Sequence, residues 1–179
     1  MAEERPIYGL MAEFDDPSSI LAAAHSAHAA GFRSMDAFSP YPVHGLSEAI
    51  GFTKCRVPLL ALLGGVAGGL GGFFMQFWIN TMAYPLNIGG RPFNSWPAFI
   101  PVTFECTILI AAFSTVLGML ALNGLPRPHH PVFNVDTFKM ASQNRFFLCI
   151  ESKDPKFDRR ETRRFLEELS EKVTDVELD

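Results

Sequence analysis

Between Arg56 and Arg127 the chain has almost no charge: the only Asp, Glu, Lys or Arg residues there are Arg91 and Glu105. A water-soluble helix of comparable length carries a polar face, and VPLLALLGGVAGGLGGFFMQFW has none, which excludes an ordinary surface helix. Histidine is missing from the same apolar stretches. A membrane haem b needs axial ligands at membrane depth, so this segment alone holds none. Cysteine is scarce as well. Cys55, Cys106 and Cys149 form no CxxC and no regular spacing, so a disulfide framework, a zinc knuckle, an iron–sulfur site and a c-type haem attachment are all unsupported. A basic excess is lacking too: the formal net charge is −4, which argues against a nucleic-acid partner. The start, MAEERPIYGL, is acidic and has no apolar h-region. No secretory signal is therefore expected, and the N-terminus is expected to stay cytoplasmic.

What fills the middle is two apolar stretches, about 57–80 and 99–122, joined by a loop over 81–98 rich in Pro and Gly. Each is about 36 Å long as a helix, against a bilayer core of about 30 Å. The reading is a transmembrane helical hairpin within residues 53–126. Lys54 and Arg56 precede the first span; Arg127, with His129 and His130, follows the second; the loop carries only Arg91. Positive-inside counting then predicts both flanks in the cytoplasm and a short periplasmic loop. Trp78, ending the first span, and Trp96, preceding the second, form the expected aromatic belt at the outer interface.

Thirty-two of the 34 charged residues lie outside the hairpin, an ordinary soluble composition. Residues 1–52 predict a strand over 7–14, a helix from Ser18 to Ala30 entered through Asp15, Asp16 and Pro17 and ended by Gly31, and a second strand over Phe32 to Ala37. Residues 127–179 predict a strand from Arg145 to Glu151, a helix from Arg159 to Val173 with Phe165, Leu166 and Leu169 on one face, and a short strand over Val176, Glu177 and Leu178. The order βαβ, hairpin, βαβ predicts an α+β membrane protein: a split ferredoxin-like cytoplasmic domain interrupted between its second and third strands. A two-helix hairpin leaves and returns on one side of the membrane, so it can stand in for a turn. Neither half buries much core alone, and the two are expected to fold together.

Gly64, Gly65, Gly68, Gly69, Gly71 and Gly72 give overlapping small-xxx-small repeats. Such a face admits a close helix; a phosphate loop would need a following Lys-Ser/Thr and water. Both the second span and another subunit are candidate partners. Glu105, about seven residues into the second span, is an intramembrane carboxylate and so a functional candidate. Proton transfer, ion coordination, a buried pair with Arg91 and a structural hydrogen bond to a neighbouring helix all fit. His25 and His28 lie one turn apart on a helix face, too few for a metal site. Asp36, Ser39 and His44 show no triad signature, and no catalytic set stands out. Arg159, Arg160, Arg163 and Arg164, interspersed with Glu, read as a solvated face with i,i+4 pairs.

Four segments carry a resemblance: IYGLMAEFDDP, DAFSPYPVHGLSEAIGF, YPLNIGGRPFNSWPAFIPVTFE and DPKFDRRETRRFLEE. Together, in order, they resemble the two-span D subunit of the bacterial alternative complex III. The third segment is the most specific. The resemblance implies a quinol:electron acceptor oxidoreductase of the respiratory or photosynthetic inner membrane. It also implies that haem c and iron–sulfur clusters sit in partner subunits, and that quinol is oxidised at multi-helix membrane subunits. For this chain it implies a cofactor-free, non-catalytic accessory role in contact with lipid and those subunits. Two rivals follow from the residues themselves: a small ion- or proton-translocating component using Glu105, and a membrane-anchored regulatory domain that binds a ligand.

Overall fold

The computed structural model of the chain describes residues 7–52 and 54–178, so the acidic start over residues 1–6 lies outside the described residues. Two compact units emerge. One joins the residues before the hairpin to those from Pro128 onward, and the other runs from Lys54 to Arg127.

In the first unit the elements are β1 (Ile7–Phe14), α1 (Pro17–Ala30), β2 (Met35–Phe38), a short α2 (Leu46–Ala49), and, after the hairpin, two 3-10 turns (Pro131–Asn134 and Asp136–Ser142), β3 (Phe146–Glu151), α5 (Arg159–Glu167) and β4 (Lys172–Glu177). The strands form one sheet in the order β2-β3-β1-β4, antiparallel at every pairing. α1 starts where Asp16 accepts from the backbone N–H of Ser18 and Ser19 with Pro17 in the first turn, and it stops at Gly31, whose φ of 102° suits a residue with no Cβ. Alternation along the strands sends Leu10, Ala12, Phe14, Phe146, Leu148 and Ile150 to one face, where they pack with Ile20, Ala24 and Leu166 of α1 and α5. Met11, Phe147, Cys149 and Val176 take the other face. The 3-10 segment covers them with Val132, Val135 and Phe138, a cover that the strand-and-helix pattern does not reveal.

Three boundaries differ from the sequence expectation, each because a tertiary bond outweighs local propensity. β2 begins at Met35, not Phe32, since the N–H groups of Arg33 and Ser34 both donate to Asp154 Oδ2 at 2.6 Å. α5 ends at Glu167, well short of Val173. Ser170 Oγ donates to the carbonyl of Glu13 at 2.5 Å, and Lys172 and Val173 pair with Glu13 and Ala12 of β1. The last strand accordingly starts at Lys172 and leaves Leu178 outside it.

In the second unit α3 (Val57–Trp78) runs on through a π turn (Ile79–Ala83) and α4 spans Trp96–Leu122. Val57–Ala83 and Trp96–Leu122, 27 residues each, are long and apolar enough to cross a membrane by length and composition. Trp78 therefore stands before the last turn of the first span rather than at its end, and Trp96 opens the second. Pro97 is tolerated in the first turn of α4, where its missing N–H would have no helical acceptor.

Candidate functional site

The two helices of the hairpin meet closely at glycines. Gly64, Gly68 and Gly72 are the buried residues of α3. A Cβ on Gly64 would meet Ser114, one on Gly68 would meet the carbonyl of Cys106, and one on Gly72 would meet the Cys106 side chain. From the other helix, Gly118 receives Leu60. A Cβ on Gly69 would meet Thr107, one on Gly65 would come only to ordinary contact distance from Ala111, and one on Gly71 would enter open space. Gln76, the amide in this apolar span that the sequence reading passed over, closes the half nearest the connecting loop. Its Nε2 donates to the carbonyl of Phe99 at 3.0 Å, to Thr103 Oγ1 at 3.3 Å and to the carbonyl of Gly72 at 3.1 Å. Thr107 and Thr115 donate to carbonyls one turn back at 2.7 Å, so their hydroxyls need nothing from outside.

Glu105 stands apart from this seam. It is exposed on α4 and, among the described residues, has no hydrogen-bond or ion-pair partner. Arg91 lies exposed in the loop, and the two form no ion pair. Trp78 and Trp96 are each 57% exposed within the chain.

In the sheet unit the polar groups gather on the face away from α1. Tyr8 donates to Glu151 Oε1 at 2.8 Å and lies 3.4 Å from His130 Nε2. Lys153 pairs with the other oxygen of Glu151. Burial and then the bond to Glu151 push the Tyr8 hydroxyl well above its usual range. Loss of water and then repulsion from Glu151 raise Asp36, which sits opposite Cys149 in the register. Burial, with Asp36 and Glu151 behind it, pushes the Cys149 thiol up to about 12. A thiol held neutral in this way is a poor nucleophile. Ser39 donates to the carbonyl of Tyr41 at 2.8 Å, which leaves Asp36, Ser39 and His44 without the bonding of a triad. Among the described residues no three His, Cys, Asp or Glu side chains converge as a metal site. The arginines of α5 do more than face solvent: Arg159 and Arg163 grip Asp175 of β4 at 2.9 and 2.7 Å, and Arg163 and Arg164 add i,i+4 pairs with Glu167 and Glu168.

Asp154, another residue sequence reasoning missed, is 4% exposed and collects three backbone donors, from Arg33, Ser34 and Lys156. Burial alone would raise its carboxyl, but those N–H groups outweigh it and hold the group below the usual carboxylate range.

The described geometry is thus a glycine-lined hairpin in one unit and a cross-linked sheet in the other. Residues 8–175 match the family described as alternative complex III, ActD subunit. The chain belongs to the ActD subunit family of alternative complex III. No curated protein matches it. Membership covers both sheet halves and the hairpin together, from Tyr8 in β1 to Asp175 in β4. An ActD-family chain is a subunit of a multi-subunit complex, and its two long apolar helices suit a membrane location.

Proposed function

We propose that this ActD-family chain is a cofactor-free accessory subunit that holds together the quinol-binding, multi-helix part of alternative complex III without performing chemistry. The match across residues 8–175 carries the reading. The chemistry of the side chains supports it: the one buried thiol is held neutral and the polar groups of the sheet are spent on one another. In this reading the hairpin crosses the bacterial inner membrane, with both flanks cytoplasmic and the loop carrying Arg91 periplasmic. Haem c and iron–sulfur clusters belong to partner subunits. The cytoplasmic unit is a ferredoxin-like sandwich split by the hairpin. Its support is the antiparallel order β2-β3-β1-β4 with α1 and α5 on one face.

Deleting the chain tests the role. The remaining subunits should be recovered from membranes as a smaller or less stable assembly, with the haem absorbance of the surviving subunits unchanged per mole. Loss of a haem or cluster signal from intact, fully assembled partners would contradict a cofactor-free accessory role. A proton-translocating role for Glu105 makes a separate demand. Glu105→Gln would then abolish proton movement in an intact assembly, whereas the accessory reading expects unchanged turnover.

A further inference from the structure

Glu105 faces the wrong way to serve its own hairpin. With about 100° of turn per residue, the α4 positions Ile110 and Ser114, which meet α3, lie about 140–180° around the helix from it. α4 is 27 residues, or about 40 Å, and Glu105 lies about 14 Å along it, too deep in a core of about 30 Å for a short side chain to reach either surface. An intramembrane carboxylate without a donor is costly whether ionised or protonated, and the described chain offers it none. Its own stripe, Ala98, Pro101, Leu109, Ala112 and Val116, is exposed throughout. Small residues on both sides of Glu105 leave room for a close helix. Pro101 adds to the demand for donors, since it has no N–H for the carbonyl of Pro97.

We propose that the Glu105 face of α4 is the docking surface for a transmembrane helix of another subunit, one that places a hydrogen-bond donor from a Lys, Arg, amide or hydroxyl side chain at the depth of Glu105. The inference rests on the accessory-subunit reading and sharpens it. α3 and α4 spend Gly64, Gly68, Gly72 and Gly118 on each other, which leaves the opposite face of α4, marked by its one charge, for a partner. A carboxyl group on an otherwise apolar surface calls for an occupant that carries a polar side chain rather than for lipid.

The test uses the complex as cells assemble it. A photo-crosslinking residue at Ala112, two turns from Glu105 on the same stripe, should label another subunit. Label confined to lipid, or to a second copy of this chain, overturns the proposal. Glu105→Leu, which suits lipid better than the native residue, should lower the amount of this chain recovered with its partners about tenfold, the size of an interhelical hydrogen bond in lipid. Glu105→Gln keeps an acceptor and should stay near wild type. Recovery of Glu105→Leu at the wild-type level overturns the proposal. A wild-type chain that copurifies with no partner defeats the accessory reading itself, a result distinct from copurification without an Ala112 crosslink.

Discussion

Asp154 shows how much one residue can fix. It sits in the turn after β3 yet holds the backbone that enters β2, through N–H groups more than a hundred positions away in sequence. Removing it leaves buried donors without acceptors, so Asp154→Ala should cost about 2–4 kcal/mol, measured by thermal unfolding of the chain in detergent. The pH dependence follows from the direction of the shift. Asp154 is held below its ordinary value of 3.8, so its contribution is present above that value and is lost as pH falls through the lower folded-state one. Asp175, lowered by Arg159 and Arg163 despite partial burial, acts with the same sign. Acid unfolding of Asp154→Asn should be shallower below about pH 4 than that of the native chain. None of this was legible in the sequence, where Asp154 reads as a loop residue. Its role depends on a contact across the hairpin.

The elements themselves were largely legible where a local pattern decided them. Strand composition marked β1 over Ile7–Phe14, and the Asp-Pro entry and Gly31 framed α1 to within a residue. Legibility failed where the chain changes partner. α5 carries a helical pattern past Glu167, but Ser170 and the pairing of Lys172 with Glu13 draw that segment into the sheet. The 3-10 cover over β1 and β3 has no period to read. Within the hairpin the glycine run announced close packing, but not which glycines face which helix. The geometry makes that distinction testable. Gly68→Val sets a branched side chain against the backbone of Cys106 and should destabilise the hairpin by about 2–3 kcal/mol. Gly71→Ala enters open space and should be neutral in the isolated chain. Gln76→Leu loses its bonds to Phe99 and Thr103 and should cost about 1 kcal/mol. Chemical denaturation in micelles, followed by far-UV circular dichroism, ranks the three.

At the scale of the whole molecule, a sheet built from both ends of the chain is interrupted by two helices that can cross a membrane. β1 pairs with both β3 and β4, strands that come from beyond the hairpin. Residues 1–52 alone therefore lack the neighbours of β1 and should not fold cooperatively. A sharp thermal transition for that fragment would contradict the split domain. The same arrangement is compatible with the accessory role proposed above. The most direct test of that role is the composition of what is isolated in mild detergent through a tag on this chain. The expected result is a fixed stoichiometry with haem-c subunits and a multi-helix quinol-binding subunit. A homogeneous protein that emerges alone, with no such partners, would contradict it.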